Sequence, residues 1–138
     1  MKLCFRKVTE RVSSVKRGFF EIAGFPNVID CVDGSLIPIM KPTEHEHIYV
    51  SRKHCHAINL MVICDHNLLF THVNARFPGS PHDSYVFRMS SVFVKFENNE
   101  VDGYLLGDNG YPMSGFLMTP FLTPHGPQRH YNAVHRKT

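Results

Sequence analysis

No apolar run in this sequence approaches 18 residues, so no segment is long enough to cross a bilayer as a helix. The basic N-terminus lacks the apolar stretch of a secretory signal. None of the four cysteines, Cys4, Cys31, Cys55 and Cys64, forms a C-x-x-C pair, and the expectation is reduced, intracellular thiols rather than a disulfide frame. Neither an H-E-x-x-H metal helix nor a G-x-S-x-G nucleophile elbow occurs, which removes the commonest zinc-protease and serine-hydrolase signatures. Internal repeats and low-complexity segments are missing too. After Asp108 no carboxylate side chain follows, although Arg129, Arg136 and Lys137 do.

What is present fits one folded domain. The chain has 138 residues, enough for a core and too few for two ordinary domains. With 43% hydrophobic and 20% charged residues, disorder is not its main state. The net charge of +3 permits nucleic-acid binding without arguing for it. Its distribution says more. Lys2, Arg6, Lys7, Arg11, Lys16 and Arg17 face only Glu10 in the first 17 residues. That segment reads either as a solvated basic helix or as a phosphate-contacting one.

Hydrophobic spacing predicts a helix over 3–23, stopped by Gly24-Phe25-Pro26-Asn27. A buried strand follows over 28–40, with Gly34-Ser35 marking a bend or bulge. Residues 41–55 read as a polar loop, and 57–64 as a strand apolar enough to be buried on both faces. A third strand is expected over 68–75, a helix over 83–96 and a short strand over 104–106. The proline-rich remainder ends in a helix beginning near Tyr131. Three antiparallel strands and a crossover helix into a fourth strand make an α/β fold with helices on the faces of a mixed sheet. The segments divide as a basic helical part, 1–23, and a core, 24–138.

Three aspartates stand out. Asp33 lies in Cys31-Val32-Asp33-Gly34-Ser35, inside an apolar strand, where a charge needs compensation. A bound cation and a hydrogen-bonded structural role both satisfy that need. Asp30, three residues earlier, falls on the opposite face by the two-residue period. Asp108 follows the fourth strand in Gly107-Asp108-Asn109-Gly110, either as turn chemistry or as a site at the carboxyl end of a sheet. Asp83, after Gly79-Ser80-Pro81-His82, is a first-turn helix residue or a cation ligand. Hard divalent cations prefer such carboxylates, and phosphodiester cleavage uses two such ions. The histidine-dense His45-Glu46-His47 and His54-Cys55-His56 give a weaker structural-zinc alternative.

The motifs together resemble the PIF/Harbinger transposases and the nucleases derived from them. They run Gly24-Phe25-Pro26-Asn27-Val28-Ile29, Val32-Asp33-Gly34, Tyr49-Val50-Ser51-Arg52-Lys53, Ile58-Asn59 and Ile63-Cys64-Asp65. They continue through Ala75-Arg76-Phe77-Pro78-Gly79-Ser80-Pro81-His82-Asp83-Ser84, Leu105-Leu106-Gly107-Asp108-Asn109-Gly110-Tyr111-Pro112, Leu117-Met118-Thr119-Pro120 and Tyr131-Asn132-Ala133-Val134-His135-Arg136. The resemblance implies a ribonuclease H-like DDE nuclease core acting on DNA with Mg2+ or Mn2+. It puts the metal-site aspartates at Asp33, Asp83 and Asp108, and phosphate contacts at Arg52, Lys53, Arg76 and Arg129. It further implies a nuclear protein, with some in the cytoplasm, aided by a separate DNA-binding partner.

Three departures matter: a missing final acidic ligand, the N-terminal DNA-binding region of full-length members, which is expected to be absent, and changes within the motifs. Phe77 stands where such proteins usually have tryptophan, and Pro81 where threonine or valine is common. The family's last acidic ligand falls beyond Thr138, so the core is expected to be C-terminally truncated. A catalytically inactive fragment that binds DNA or protein is the alternative reading.

Overall fold

Strand β1, Val28–Pro38, is the axis of the molecule, and the elements on either side of it follow from its burial. The computed structural model describes residues 9–138. Helix α1, Thr9–Ala23, precedes β1, so the first residues of the predicted 3–23 helix, with Lys2, Arg6 and Lys7, lie outside the described part. Gly24 ends α1 at φ +78°, its N–H reaching the Phe20 carbonyl at 2.7 Å. Only glycine enters that left-handed closure without strain.

After β1 come α2, Glu46–Tyr49, then β2, Ala57–Cys64, and β3, Phe70–Pro78. Two short helices follow, α3, Asp83–Arg88, and α4, Ser91–Glu97. The chain closes with β4, Tyr104–Leu106, β5, Leu117–Met118, and α5, Pro127–Lys137. The sheet order is β3-β2-β1-β4-β5. The β1–β2 and β2–β3 pairs are antiparallel, while β1–β4 and β4–β5 are parallel. This is a mixed α/β sheet flanked by helices, in the ribonuclease H-like arrangement.

Two cores hold the layers. On one face Met61, Ile63, Leu105 and Leu117 pack beneath Val86 and Phe87 of α3 and Val92 and Phe96 of α4. On the other, Val28 and Leu106 meet Val15 and Phe19 of α1, with Tyr131 and Val134 of α5 against them. The second core draws on β1, β4 and β5 and not on β2. Strand β2 therefore alternates between fully and half-buried residues, Ala57, Asn59, Met61 and Ile63 facing α3, and is not buried on both faces as its composition predicted.

Several boundaries differ from the sequence reading, each for a local reason. The 83–96 helix breaks at Met89-Ser90, because the Ser90 hydroxyl accepts the Phe93 N–H at 3.2 Å and starts α4 anew. Helix α5 starts at Pro127, four residues before Tyr131, with the proline in its first turn where the missing N–H is no loss. Strand β3 begins at Phe70 because Asp65 Oδ1 accepts the N–H groups of Asn67 and Leu69, and Leu68 takes φ +60°. No bulge occurs at Gly34, for pairing with β2 is continuous from Cys31 to Pro38. The irregularity lies between Val28 and Asp30, opposite β4.

Candidate active site

The parallel register of β1 and β4 decides where two of the three aspartates fall. Cys31 pairs with Leu106, the final residue of β4. Two residues further along each segment stand Asp33, in the middle of β1, and Asp108, just past the carboxyl end of β4, on neighbouring strands whose spacing is about 4.8 Å. Open α/β sheets bind ligands at that end.

Asp83 arrives from the first turn of α3, and Gly34 is the reason it fits. A methyl group at Gly34 would collide with the Asp83 carboxylate, whose Oδ2 lies 2.9 Å from where that methyl would stand. Gly34 therefore marks a close approach rather than a bend. Asn59, buried on β2, holds the same carboxylate: its Nδ2 donates to Asp83 Oδ1 at 2.8 Å and to the Pro81 carbonyl at 3.2 Å. Both partners are acceptors, which fixes the orientation of the amide. The guanidinium of Arg52 lies 3.7 Å from Asp83 Oδ2 and is largely exposed.

Asp33 Oδ1 accepts the Gly34 N–H at 2.8 Å, and Asp108 Oδ1 accepts the Gly110 N–H at 2.9 Å. Among the described residues no donor meets the second oxygen of either. Partial burial raises the pKa of the Asp33 carboxyl, and the charges of Asp108 and Asp83 add to that rise against the lowering pull of the Gly34 N–H. The crowding is thus electrostatic, and a cation relieves it.

Tyr111 packs between α3 and the segment before Asp108. Its ring lies edge-on to Phe87 at 5.9 Å, and its hydroxyl is buried with no hydrogen-bond partner among the described residues. Burial, then the charges of Asp83, Asp33 and Asp108, push its phenol far above the ordinary value. Of these groups, sequence reasoning missed Asn59 and Tyr111 as site residues. An asparagine in the apolar run Ile58–Ile63 was the available signal for the first.

A divalent cation fits the donor chemistry present. Asp33 and Asp108 offer hard oxygen donors, and burial pushes the neighbouring Cys31 thiol up to about 12, so it stays protonated. Among the described residues no three Asp, Glu, His or Cys groups stand close enough to enclose an ion unaided. Mg2+ needs no such cage: one or two carboxylates suffice, with water and substrate phosphate completing the sphere.

The other candidates fall elsewhere. Lys53 is exposed in the same loop as Arg52. Arg76 is exposed on the edge strand β3, and Arg129 on α5 turns its Nε toward the Pro124 carbonyl at 3.5 Å, so neither is joined to the acidic trio. Asp30 is buried and accepts from Thr71 Oγ1 at 3.3 Å, apart from the trio. In the histidine-dense segments Glu46 takes His56 Nε2 and Lys41 Nζ, each at 2.9 Å.

Comparison with known proteins agrees with the geometry. The profile of the DDE superfamily endonuclease domain matches residues 32–138, most of the chain. The chain belongs to the DDE superfamily of endonucleases. It is 35% identical over 129 residues to HARBI1, a candidate nuclease, of Rattus norvegicus, and 33% identical over 129 residues to that of Homo sapiens. Each match covers 92% of this chain and 37% of the relative. A protein described as ALP1-like from Arabidopsis thaliana is 25% identical over 145 residues, covering 91% of this chain and 35% of its own. The chain thus spans little more than a third of the length of these DDE-family relatives. No solved structure matches it.

Proposed function

We propose that this chain carries the catalytic centre of a divalent-metal-dependent DNA endonuclease. In this reading Asp33 and Asp108 hold the cation and Asp83 adds a third carboxylate. One observation supports it: Asp33 on β1, Asp83 at the start of α3 and Asp108 after β4 lie near enough that the charges of Asp108 and Asp83 add to the rise burial gives the proton affinity of Asp33. Structural aspartates are ordinarily arranged to avoid each other, and mutual repulsion of this kind gathers at functional sites.

A bound Mg2+ or Mn2+ supplies Lewis acidity at a phosphoryl oxygen and an activated water. The chain's own groups do the rest. The unengaged oxygens of Asp33 and Asp108 would hold the ion. Asn59 keeps Asp83 in one rotamer, and Arg52 and Lys53, exposed beside the site, contact the phosphates of the DNA. Arg76 and Arg129 serve more distant phosphates. A partner protein that delivers the chain to DNA, and a nuclear location, belong to the same reading.

The test is nicking of supercoiled plasmid by the 138-residue chain in Mg2+ or Mn2+. Nicking that disappears in Asp33→Ala supports the reading. Nicking absent from the wild-type chain, or untouched in Asp33→Ala, contradicts intrinsic cleavage.

A second reading is a non-catalytic DNA- or protein-binding module. The observation in its favour is that both oxygens of Asp83 already have partners, Asn59 and Arg52. DNA binding that weakens with salt and survives Asp108→Ala would support it.

A further inference from the structure

A cavity of about 350 Å3 opens beside Gly103, at the opposite end of β4 from Asp108. That volume falls at the lower end of ligand sites, which run from about 300 to 1,000 Å3. Its floor is apolar. Phe96 is buried, and its ring stacks on Phe116 with centroids 5.3 Å apart and planes inclined by 25°. Half-buried Val101 packs against the same core. Its rim is acidic. Exposed Glu97, at the end of α4, and exposed Asp102, just before β4, both line it.

The two carboxylates are engaged differently. Asp102 Oδ2 accepts Lys16 Nζ at 2.7 Å. Glu97 has no side-chain hydrogen bond or ion pair among the described residues. Glu100, in the same loop, takes the neutral amide of Asn98 at 3.2 Å. Three negative charges thus face one lysine here. Lys95, also on α4, instead acts on His72 of β3, at the far edge of the sheet.

The sign of that charge selects the ligand. It repels a DNA phosphate, so this surface does not extend the contacts expected at Arg52 and Lys53. A bare metal ion finds no three ligating side chains together among the described residues. A cation on an aliphatic stem suits both halves of the cavity, because the stem lies on apolar side chains while the head meets a carboxylate. Arginine suits it better than lysine: its planar guanidinium pairs with a carboxylate through two bonds and is more weakly hydrated. The mouth is open, for a methyl group added at Gly115 on the rim would meet nothing within 4 Å. We propose that this cavity docks an arginine presented by an exposed segment of a partner protein, with the guanidinium on Glu97 and the stem against Phe96 and Phe116. The site shares no residue with the acidic trio, so it stands or falls apart from the cation-binding reading.

A capped pentapeptide, one arginine flanked by serine and glycine, is titrated into the nitrogen-15-labelled 138-residue chain, and amide shifts are followed by NMR. The expected result is saturable shifts at Glu97, Asp102 and Gly115, with Asp33 and Asp108 unmoved. Citrulline in place of the arginine keeps the stem and removes the charge, and should weaken binding about tenfold or more. Glu97→Gln in the chain should do the same. Gly115→Phe, which sets a ring at the mouth, should abolish the shifts, with melting by circular dichroism showing the fold retained. No saturable shift, shifts centred on Asp33 and Asp108, or equal binding of the arginine and citrulline peptides overturns the proposal. Free arginine binding more tightly than the peptide overturns the protein partner in favour of a small amine. Self-association of the chain that Glu97→Gln abolishes overturns it in favour of a second copy.

Discussion

Asp33 is the residue on which the site's electrostatics turn. An aspartate titrates near 3.8 in an unfolded chain, and burial together with Asp108 and Asp83 raises that value in the fold. Between the two values the native state binds more protons than the unfolded one. The stabilisation from protonating Asp33 is thus fully present below about pH 3.8 and is lost as pH rises through the folded value. Asp33→Asn should accordingly raise the cation-free melting temperature at pH 7, with the gap from wild type closing as the pH falls below that of a free aspartate. An equal gap at every pH would contradict the assigned cause. Asn59 gives a second test: Asn59→Ala removes a buried donor to Asp83 and should cost about 1–3 kcal/mol in denaturant unfolding. Gly34→Ala should push the Asp83 carboxylate aside, at a cost of about 1–3 kcal/mol for overpacking, and weaken Mg2+ binding well beyond what the stability loss explains.

At the scale of the element, much of this architecture was legible. Strands 57–64 and 104–106 have the bounds that their apolar runs predicted, and Gly24 closes α1 where the turn residues placed it. Helix α3–α4 was read as one because Val86, Phe87, Phe93 and Val94 keep helical spacing across the break. The capping hydroxyl of Ser90, which forces the restart, is a local signal weaker than that period. Ser90→Ala should therefore lower stability by about 0.5–2 kcal/mol while leaving Mg2+ binding unchanged, and a loss of binding would show that α4 shapes the site. Strand β5, two residues long, has no period to read and exists only because β4 offers it a parallel edge. Within the site, Asp33 was readable as a candidate from a carboxylate inside an apolar strand, and Asp108 from its place just past the fourth strand. Tyr111 was not, because nothing in Gly110-Tyr111-Pro112 shows that the ring folds back between Gly107 and Phe87.

Across the whole molecule the charge is modest and unevenly placed. Arg52 and Lys53 are exposed in the loop that reaches Asp83, and Arg129 is exposed on α5, which packs beside α1. If these groups contact DNA, each contributes to the salt dependence of binding, and Arg52→Ala should reduce the slope of log affinity against log salt by about one. A slope unaltered by Arg52→Ala would remove that residue from the interface. The decisive question is whether the three carboxylates bind a cation together. It is answered by titrating Mn2+ into the 138-residue chain and counting free Mn2+ by electron paramagnetic resonance. Saturable binding to the wild-type chain, weakened in Asp33→Ala and in Asp108→Ala alike, is what this geometry predicts. Binding that both variants retain at full affinity, or none in the wild type, would contradict it.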